Sequence, residues 1–433
     1  MDNPRKLAHA SLVKSDTQEC YTNIEINTVL SRASLEKNDA ALYTLLYLGV
    51  TEKRMYLDHA IGQYSKTPVA DLDTEVINAL RLGIYQMLFT DRIPDYSAVD
   101  ESVELAPKRS RGFVNAVLRS FLRSGKRVEL PSDPWERLSV VNSIPMALID
   151  LLRCSYGDEV AKALASYEDS DREVALRVNT VKTTSEALCR TLSERGIAHR
   201  VSQYGSGVIK CSCPVSEIKD LIDTGAAFVQ DESSYICART VDAQHGQRVA
   251  DTCACPGGKT FSMAIDMENS GELYAYDLHK NKLSLIEKGA KRLGLDIISV
   301  SEQDGRVFLP ENEGKFHRVL CDVPCSGLGV IFKKPDIKYK SIEKINALPK
   351  IQLEILRNCS RYVSVGGYLV YSTCTLCREE NEGNIESFLR ENQDFVPVDF
   401  EHGSVKSKGG VYTFFPHITG TDGFFVAKLK RVK

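Results

Sequence analysis

The 433-residue sequence has no apolar run near the ~18 residues that a membrane-spanning helix needs. Its opening stretch, Met1 to Lys14, holds Pro4, Arg5, Lys6 and His9 but no apolar core, so no secretory signal is legible. Charge of one sign is scarce too: 55 Lys and Arg against 58 Asp and Glu leave a net charge of −3. That balance argues against a protein that coats nucleic acid, while leaving room for local basic stripes. No internal repeat stands out. The expectation is a cytoplasmic protein with no membrane partner.

Cysteine, by contrast, is abundant, at 13 residues. In a reducing compartment these are thiols rather than a disulfide framework. Most serve as small buried hydrophobes. Hydrophobic residues at 43% and charged residues at 26% fit a globular chain, and the length calls for two or three domains.

Residues 1–127 read as an all-α bundle. Leu42, Leu45, Leu46 and Gly49 fall at helical spacing, as do Val76, Leu80, Met87 and Leu88. Ser97 to Asp100 reads as a capping-box start. Phe113, Val114, Val117, Leu118, Phe121 and Leu122 mark a further amphipathic helix. Basic patches occur at Lys108, Arg109 and Arg111; at Arg119, Arg123, Lys126 and Arg127; and at Lys333, Lys334, Lys338 and Lys340. A solvated charged face explains any one of them as well as a phosphate contact does.

Residues 128–228 combine a linker with a small α+β unit that has strand-like runs at Val174–Val178 and Gly207–Lys210. Residues 229–433 alternate strands and helices. The strands are expected at Arg248–Asp251, Glu272–Tyr276, Ile297–Val300, His317–Cys321 and Tyr368–Ser372. Such alternation predicts a parallel, Rossmann-like α/β sheet covered on both faces, with ligands at the carboxyl ends of its strands.

The loop after the first of these strands, Cys253-Ala254-Cys255-Pro256-Gly257-Gly258-Lys259, opens a helix. Its glycines permit a tight turn, and the helix start offers free N–H groups to a carboxylate. It is not a P-loop, because position 253 would have to be Gly and is Cys. Asp277 follows Gly257 by 20 residues, the spacing of a carboxylate that grips ribose hydroxyls. Asp304, after the third strand, is placed to meet an adenine edge. A generic dinucleotide site is the alternative, weakened by the missing Gly-x-Gly-x-x-Gly.

Cys321-Asp322-Val-Pro-Cys325-Ser-Gly follows the fourth strand and Tyr371-Ser-Thr-Cys374-Thr-Leu-Cys377 the fifth. Both loops reach the same edge of the sheet. Cys374-x-x-Cys377 also reads as a redox pair, although such pairs belong to thioredoxin-like settings. A zinc site from Cys321, Cys325, Cys374 and Cys377 is a further alternative. However, Cys325 and Cys374 lie 49 residues apart, against ~15–20 in compact zinc modules. Plain core packing suits Cys321 best.

With these motifs the sequence resembles, over nearly its whole length, the Sun/Fmu (RsmB) family of 16S ribosomal-RNA cytosine-5 methyltransferases. The resemblance rests on Cys253 to Lys259, on Asp322-Val-Pro-Cys325, and on Thr373-Cys374 followed by Glu380-Asn381-Glu382. The ending Gly420 to Ala427 resembles the family's closing hairpin. Phe113 to Arg119 resembles a NusB signature, and the middle unit resembles an RRM-like extension.

The resemblance implies that Cys374 is the nucleophile, that Cys325 helps to release it and that Asp322 assists. It implies S-adenosylmethionine as cofactor, with Cys253 to Lys259, Asp277, Asp304 and Asp322 lining its pocket, and no metal. The expected partner is ribosomal RNA, unassembled or partly opened, acted on by a monomer. The chemistry suits these residue types. Carbon 5 of cytosine takes a methyl group only after a thiolate adds to carbon 6, and a base must later remove the carbon-5 proton.

Overall fold

The computed structural model describes residues 2–18, 20–168 and 173–433. The chain forms two compact units: Met1–Ser166 with Ile331–Lys340, and Tyr167–Val330 with Ser341–Lys433.

The first unit is helical. Its helices are α1 (Pro4–Thr17), α2 (Thr22–Arg32), α3 (Lys37–Glu52), α4 (Arg54–Tyr64), α5 (Thr74–Phe89), α6 (Asp95–Leu105), α7 (Arg111–Arg123), α8 (Pro134–Asn142) and α9 (Met146–Ala165). α5 is the hub, with Val76 to Met87 buried throughout. The apolar face of α7 (Val114, Val117, Leu118 and Phe121) packs into the same core. Two sequence expectations fail here. Leu45 is 46% exposed while Leu46 is fully buried, because α3 turns only one stripe inward. Ser97 lies inside α6, which starts at Asp95 after Pro94, since proline's fixed φ suits a helix start.

The proposed basic patches are also thinner than their sequence suggests. Arg109 pairs with Asp73, Arg111 with Glu104, Arg119 with Asp100, Lys126 with Asp95 and Arg127 with Glu129. Lys338 is buried rather than exposed and donates to the Asn142 carbonyl at 3.3 Å. Among the described residues no single helix is long and apolar enough to cross a membrane; α8 and α9 meet both demands only together, across a 117° bend.

The second unit holds two sheets. The small one comprises β1 (Val174–Val178), β2 (His199–Val201), β3 (Val208–Cys211) and β4 (Ala227–Val229), in the order β2-β3-β1-β4, with α10 (Ser185–Glu194) and α11 (Lys219–Asp223). All its pairings are antiparallel. After α12 (Glu232–Thr240) come β5 (Arg248–Asp251), α13 (Gly258–Asp266), β6 (Glu272–Asp277), α14 (Lys280–Leu293), β7 (Ile298–Glu302) and β8 (Phe316–Asp322). Then follow α15 (Ile342–Ser360), β9 (Val363–Thr373), α16 (Glu382–Glu391), β10 (Phe395–Pro397), β11 (Glu401–His402), β12 (Val405–Lys406), β13 (Val411–Phe414), α17 (Pro416–Thr419) and β14 (Phe424–Arg431). Arg177 of β1 pairs with Asp266 at 2.8 Å, and Asn179 donates to the Leu293 carbonyl at 2.8 Å. These bonds fix the small sheet against α13 and α14.

The large sheet runs β10-β14-β9-β8-β5-β6-β7. Strands β9, β8, β5, β6 and β7 are parallel, so Thr373, Asp322, Asp251 and Asp277 all end at one edge. The expectation of a parallel sheet holds for these five. β14 runs antiparallel to β9, β10 and β13, so β10, which follows α16, again runs in the direction of β9.

Candidate active site

The glycine loop leaves β5 and enters α13. Gly257 sits at φ 112° as the cap of α13, and a Cβ there would lie 2.4 Å from the Phe261 ring. Only glycine meets both demands. Asp277, at the end of β6, reaches back across the sheet edge. Its carboxylate accepts from the Cys255 N–H at 3.1 Å and the His279 N–H at 2.9 Å. One carboxylate therefore shapes both the loop and the turn into α14.

Within the loop, Ala254 is buried, and Cys253 and Cys255 pack against the two cores of the sheet. Burial pushes both thiols up, Cys255 to about 12. Pro256 is exposed, and Gly258 opens the helix. Asp304 lies beyond β7 and is taken by Arg306 through several hydrogen bonds, one at 2.7 Å. That guanidinium holds its carboxyl below the usual range.

Lys259 and Asp322 form the next layer, with Nζ and Oδ2 2.6 Å apart. Burial alone would lower the Lys259 ammonium, but Asp322, Cys237 and Cys374 together carry the net shift upward. The other oxygen of Asp322 accepts from the Ser372 hydroxyl at 2.7 Å, which ties β8 to β9. Asp251, behind them, is 1% exposed and accepts from Thr260 at 2.7 Å. Burial pushes its carboxyl up to about 7.

The two thiols face each other beyond these ion pairs, with Cys325 Sγ and Cys374 Sγ 3.3 Å apart. The hydrogen bond with Cys374 and burial hold the Cys325 thiol well above its ordinary value. The loops meet elsewhere too: Gly329 N donates to the Cys374 carbonyl at 3.0 Å, and Gly423 N to the Gly329 carbonyl at 2.9 Å. A Cβ on Gly329 would stand 1.9 Å from the Gly423 carbonyl oxygen, so this crossing needs glycine.

The other candidate cysteines point elsewhere. Cys321 is buried within β8, and the Cys377 thiol donates to Glu379 at 3.1 Å. Among the described residues no three His, Cys, Asp or Glu converge as a metal-ion site. Sequence reasoning named Cys325, Cys374, Asp322 and Lys259. It missed the Lys259–Asp322 pairing, Ser372, and the buried polar group of Ser326, Thr375, Gln352 and Glu380. Of the last, Ser326, Thr375 and Glu380 stood only as letters within the motifs, and Gln352 left no trace.

Known proteins resemble this chain in sequence and in fold. The family described as 16S rRNA methyltransferase RsmB/F matches residues 238–430. The NusB family matches residues 2–123, and a ferredoxin-like domain of the RsmF/B type matches residues 144–216. A Bacillus subtilis (strain 168) protein named "Probable ribosomal RNA small subunit methyltransferase B" is 35% identical over 99% of this chain and 98% of its own length. The chain belongs to the RsmB family of ribosomal RNA small subunit methyltransferases. A protein of the same name from Synechocystis sp. is 30% identical over the full length of both chains. The crystal structure of PH0851 superposes with a TM-score of 0.83 at 26% identity, covering 100% of this chain and 99% of the other. NSun6 from Pyrococcus horikoshii with SFG shares the fold, with a TM-score of 0.59 at 24% identity over 67% of this chain and 98% of its own. The fold class is therefore the one expected: a NusB-like helical bundle, a small α+β unit of ferredoxin-like type, and an α/β methyltransferase domain.

Proposed function

We propose that this chain methylates carbon 5 of a cytosine in 16S ribosomal RNA through a covalent bond between Cys374 and the base. The observation that carries the reading is the pair of facing thiols, 3.3 Å apart, beside Asp322 at the carboxyl edge of the parallel strands. S-adenosylmethionine fits the donor set of that edge. The N–H groups at the start of α13 suit a carboxylate, and Asp277 suits ribose hydroxyls. Cys253 to Lys259, Asp277, Asp304 and Asp322 are the residues that would hold it. When bound, it supplies an electrophilic methyl group.

The protein's own groups do the rest. Cys374 Sγ adds to carbon 6 and makes carbon 5 nucleophilic. Asp322, with Lys259 beside it, meets the charge that builds on the ring. Elimination needs the carbon-5 proton removed, and Cys325 stands next to the sulfur that must leave. The base has to quit its stack, at a cost of a few kcal/mol, which favours unassembled or partly opened RNA. In this reading a monomer works in the cytoplasm. Residues 1–127 bind RNA, 128–228 form the linker and small unit, and 229–433 carry the chemistry.

The test separates the two cysteines. Cys374→Ala should abolish methyl transfer and form no adduct. Cys325→Ala should attack, methylate and stall, giving an RNA-linked band on a denaturing gel that Cys325→Ala/Cys374→Ala lacks. The opposite pattern would reverse the roles. Two folded variants without any band would sink the covalent route.

A further inference from the structure

Between the tie of Val323 N to the Ser372 carbonyl and the tie of Gly329 N to the Cys374 carbonyl, no strand pairing fixes the Cys325 loop. Two buried side chains, Glu380 and Gln352, occupy that gap. Glu380 is 0% exposed. Its Oε2 accepts from the Ser326 N–H at 2.9 Å and from Gln352 Nε2 at 2.7 Å. Its Oε1 accepts from the Ser326 hydroxyl at 2.5 Å and lies 3.5 Å from the Thr375 hydroxyl. Those two hydroxyls are themselves 2.6 Å apart. Gln352 Nε2 also donates to the Pro324 carbonyl at 2.9 Å.

The residues on either side of Cys325, and the residue after Cys374, thus converge on one carboxylate and its amide neighbour. Asn381 completes the grip on the second loop. It accepts from the Thr373 hydroxyl at 2.5 Å and donates to the Thr375 carbonyl at 3.0 Å. Pro324, Ser326, Thr373 and Thr375 place the two sulfurs, and each is held by Glu380, Gln352 or Asn381.

We propose that Glu380 is a positioning residue that sets the separation of the Cys325 and Cys374 sulfurs. The inference rests on the covalent reading above. It requires that the reach of the side chain matters, not its charge. Glu380→Gln keeps the reach. Its amide oxygen can take the bonds from Ser326 N and Gln352, and its NH2 meets two hydroxyls that can accept. Glu380→Asp keeps the charge but retracts by one methylene.

Two readouts on the full-length protein test this. In methyl transfer, Glu380→Gln should stay within roughly threefold of the parent, while Glu380→Asp and Glu380→Ala lose roughly 10²-fold in kcat with KM for S-adenosylmethionine unchanged. The second readout needs no turnover. Diamide takes two hydrogens from the thiol pair, becoming its hydrazine, and leaves a Cys325–Cys374 disulfide that peptide mass spectrometry can time. Parent and Glu380→Gln should cross-link alike, and Glu380→Asp and Glu380→Ala roughly tenfold more slowly. If Glu380→Ala does not fold, Glu380→Asp carries the test. An active Glu380→Asp beside an inactive Glu380→Gln would overturn the proposal in favour of a charge or proton role. Cross-linking of Glu380→Asp at the parent rate would overturn it as well. Cross-linking as expected, with no 5-methylcytosine made even by the parent, would fault the covalent reading and leave the positioning role standing.

Discussion

Arg81 in the helical unit and Glu380 in the α/β unit are both buried ionisable side chains, and they are satisfied by opposite means. Arg81, 4% exposed, makes a two-pronged pair with Asp58 at 2.7 and 2.9 Å and a further bond to Asp16 at 2.8 Å. It joins α5 to α4 and α1 through charge neutralisation. The donors to Glu380 are a backbone N–H, hydroxyls and an amide. The first cluster answers to stability, because one missing cation strands Asp58 and leaves Asp16 to Arg54 alone. The second answers to geometry, because its members flank the two facing thiols.

The largest effect that could break this contrast is Arg81→Ala. Leaving Asp58 without its buried partner, and Asp16 with Arg54 alone, should cost about 3 kcal/mol, read from urea unfolding. Methyl transfer per folded molecule should not change; a fall in specific activity with unchanged stability would erase the distinction. Asp277→Ala comes next and should do the reverse. Affinity for S-adenosylmethionine should drop by about 1.5–3 kcal/mol in calorimetry, through loss of charge-assisted hydrogen bonds. Unchanged affinity would sink the ribose assignment.

The smallest effect concerns Lys338, a buried cation with no carboxylate bonded to it. Burial lowers its ammonium from 10.5 to about 8. The folded protein therefore gives up this proton before the unfolded chain does, so stability from this site rises as pH climbs from 8 toward 10.5. Below 8 the cost of the buried charge is paid in full. Lys338→Met should remove that slope in urea midpoints measured at pH 8 and pH 10. Parallel slopes for parent and variant would show that Lys338 stays charged in the fold.

The fold class was legible because period survives in sequence. The helical spacing of α7 and the strand–helix alternation from β5 to β9 are local signals. Val174–Val178 and Arg248–Asp251 fall at the boundaries expected for them. The antiparallel return of β14 left no such mark, since an apolar strand reads alike in either direction. Lys338 was misjudged because its neighbours Lys333 and Lys334 are exposed and sequence alone cannot separate them. The site was legible as motifs, not as contacts. The bond from Ser326 to Glu380 spans 54 residues and that from Gln352 to Glu380 spans 28, and no periodicity records either.

The position of β14 has a consequence for the making of the molecule. This strand lies between β9 and β10, and Phe425 pairs with Thr373, the residue before Cys374. A ribosome produces β14 after every other strand of the sheet, so β9 remains an open edge on a nascent chain that otherwise folds from its amino end. Gly423, which braces the loop crossing at Gly329, arrives equally late. The facing thiols thus come under full constraint only once β14 has been made. A member of a ribosomal RNA methyltransferase family is itself made on ribosomal RNA, and the loops that carry its facing thiols are braced only after the rest of the sheet is in place.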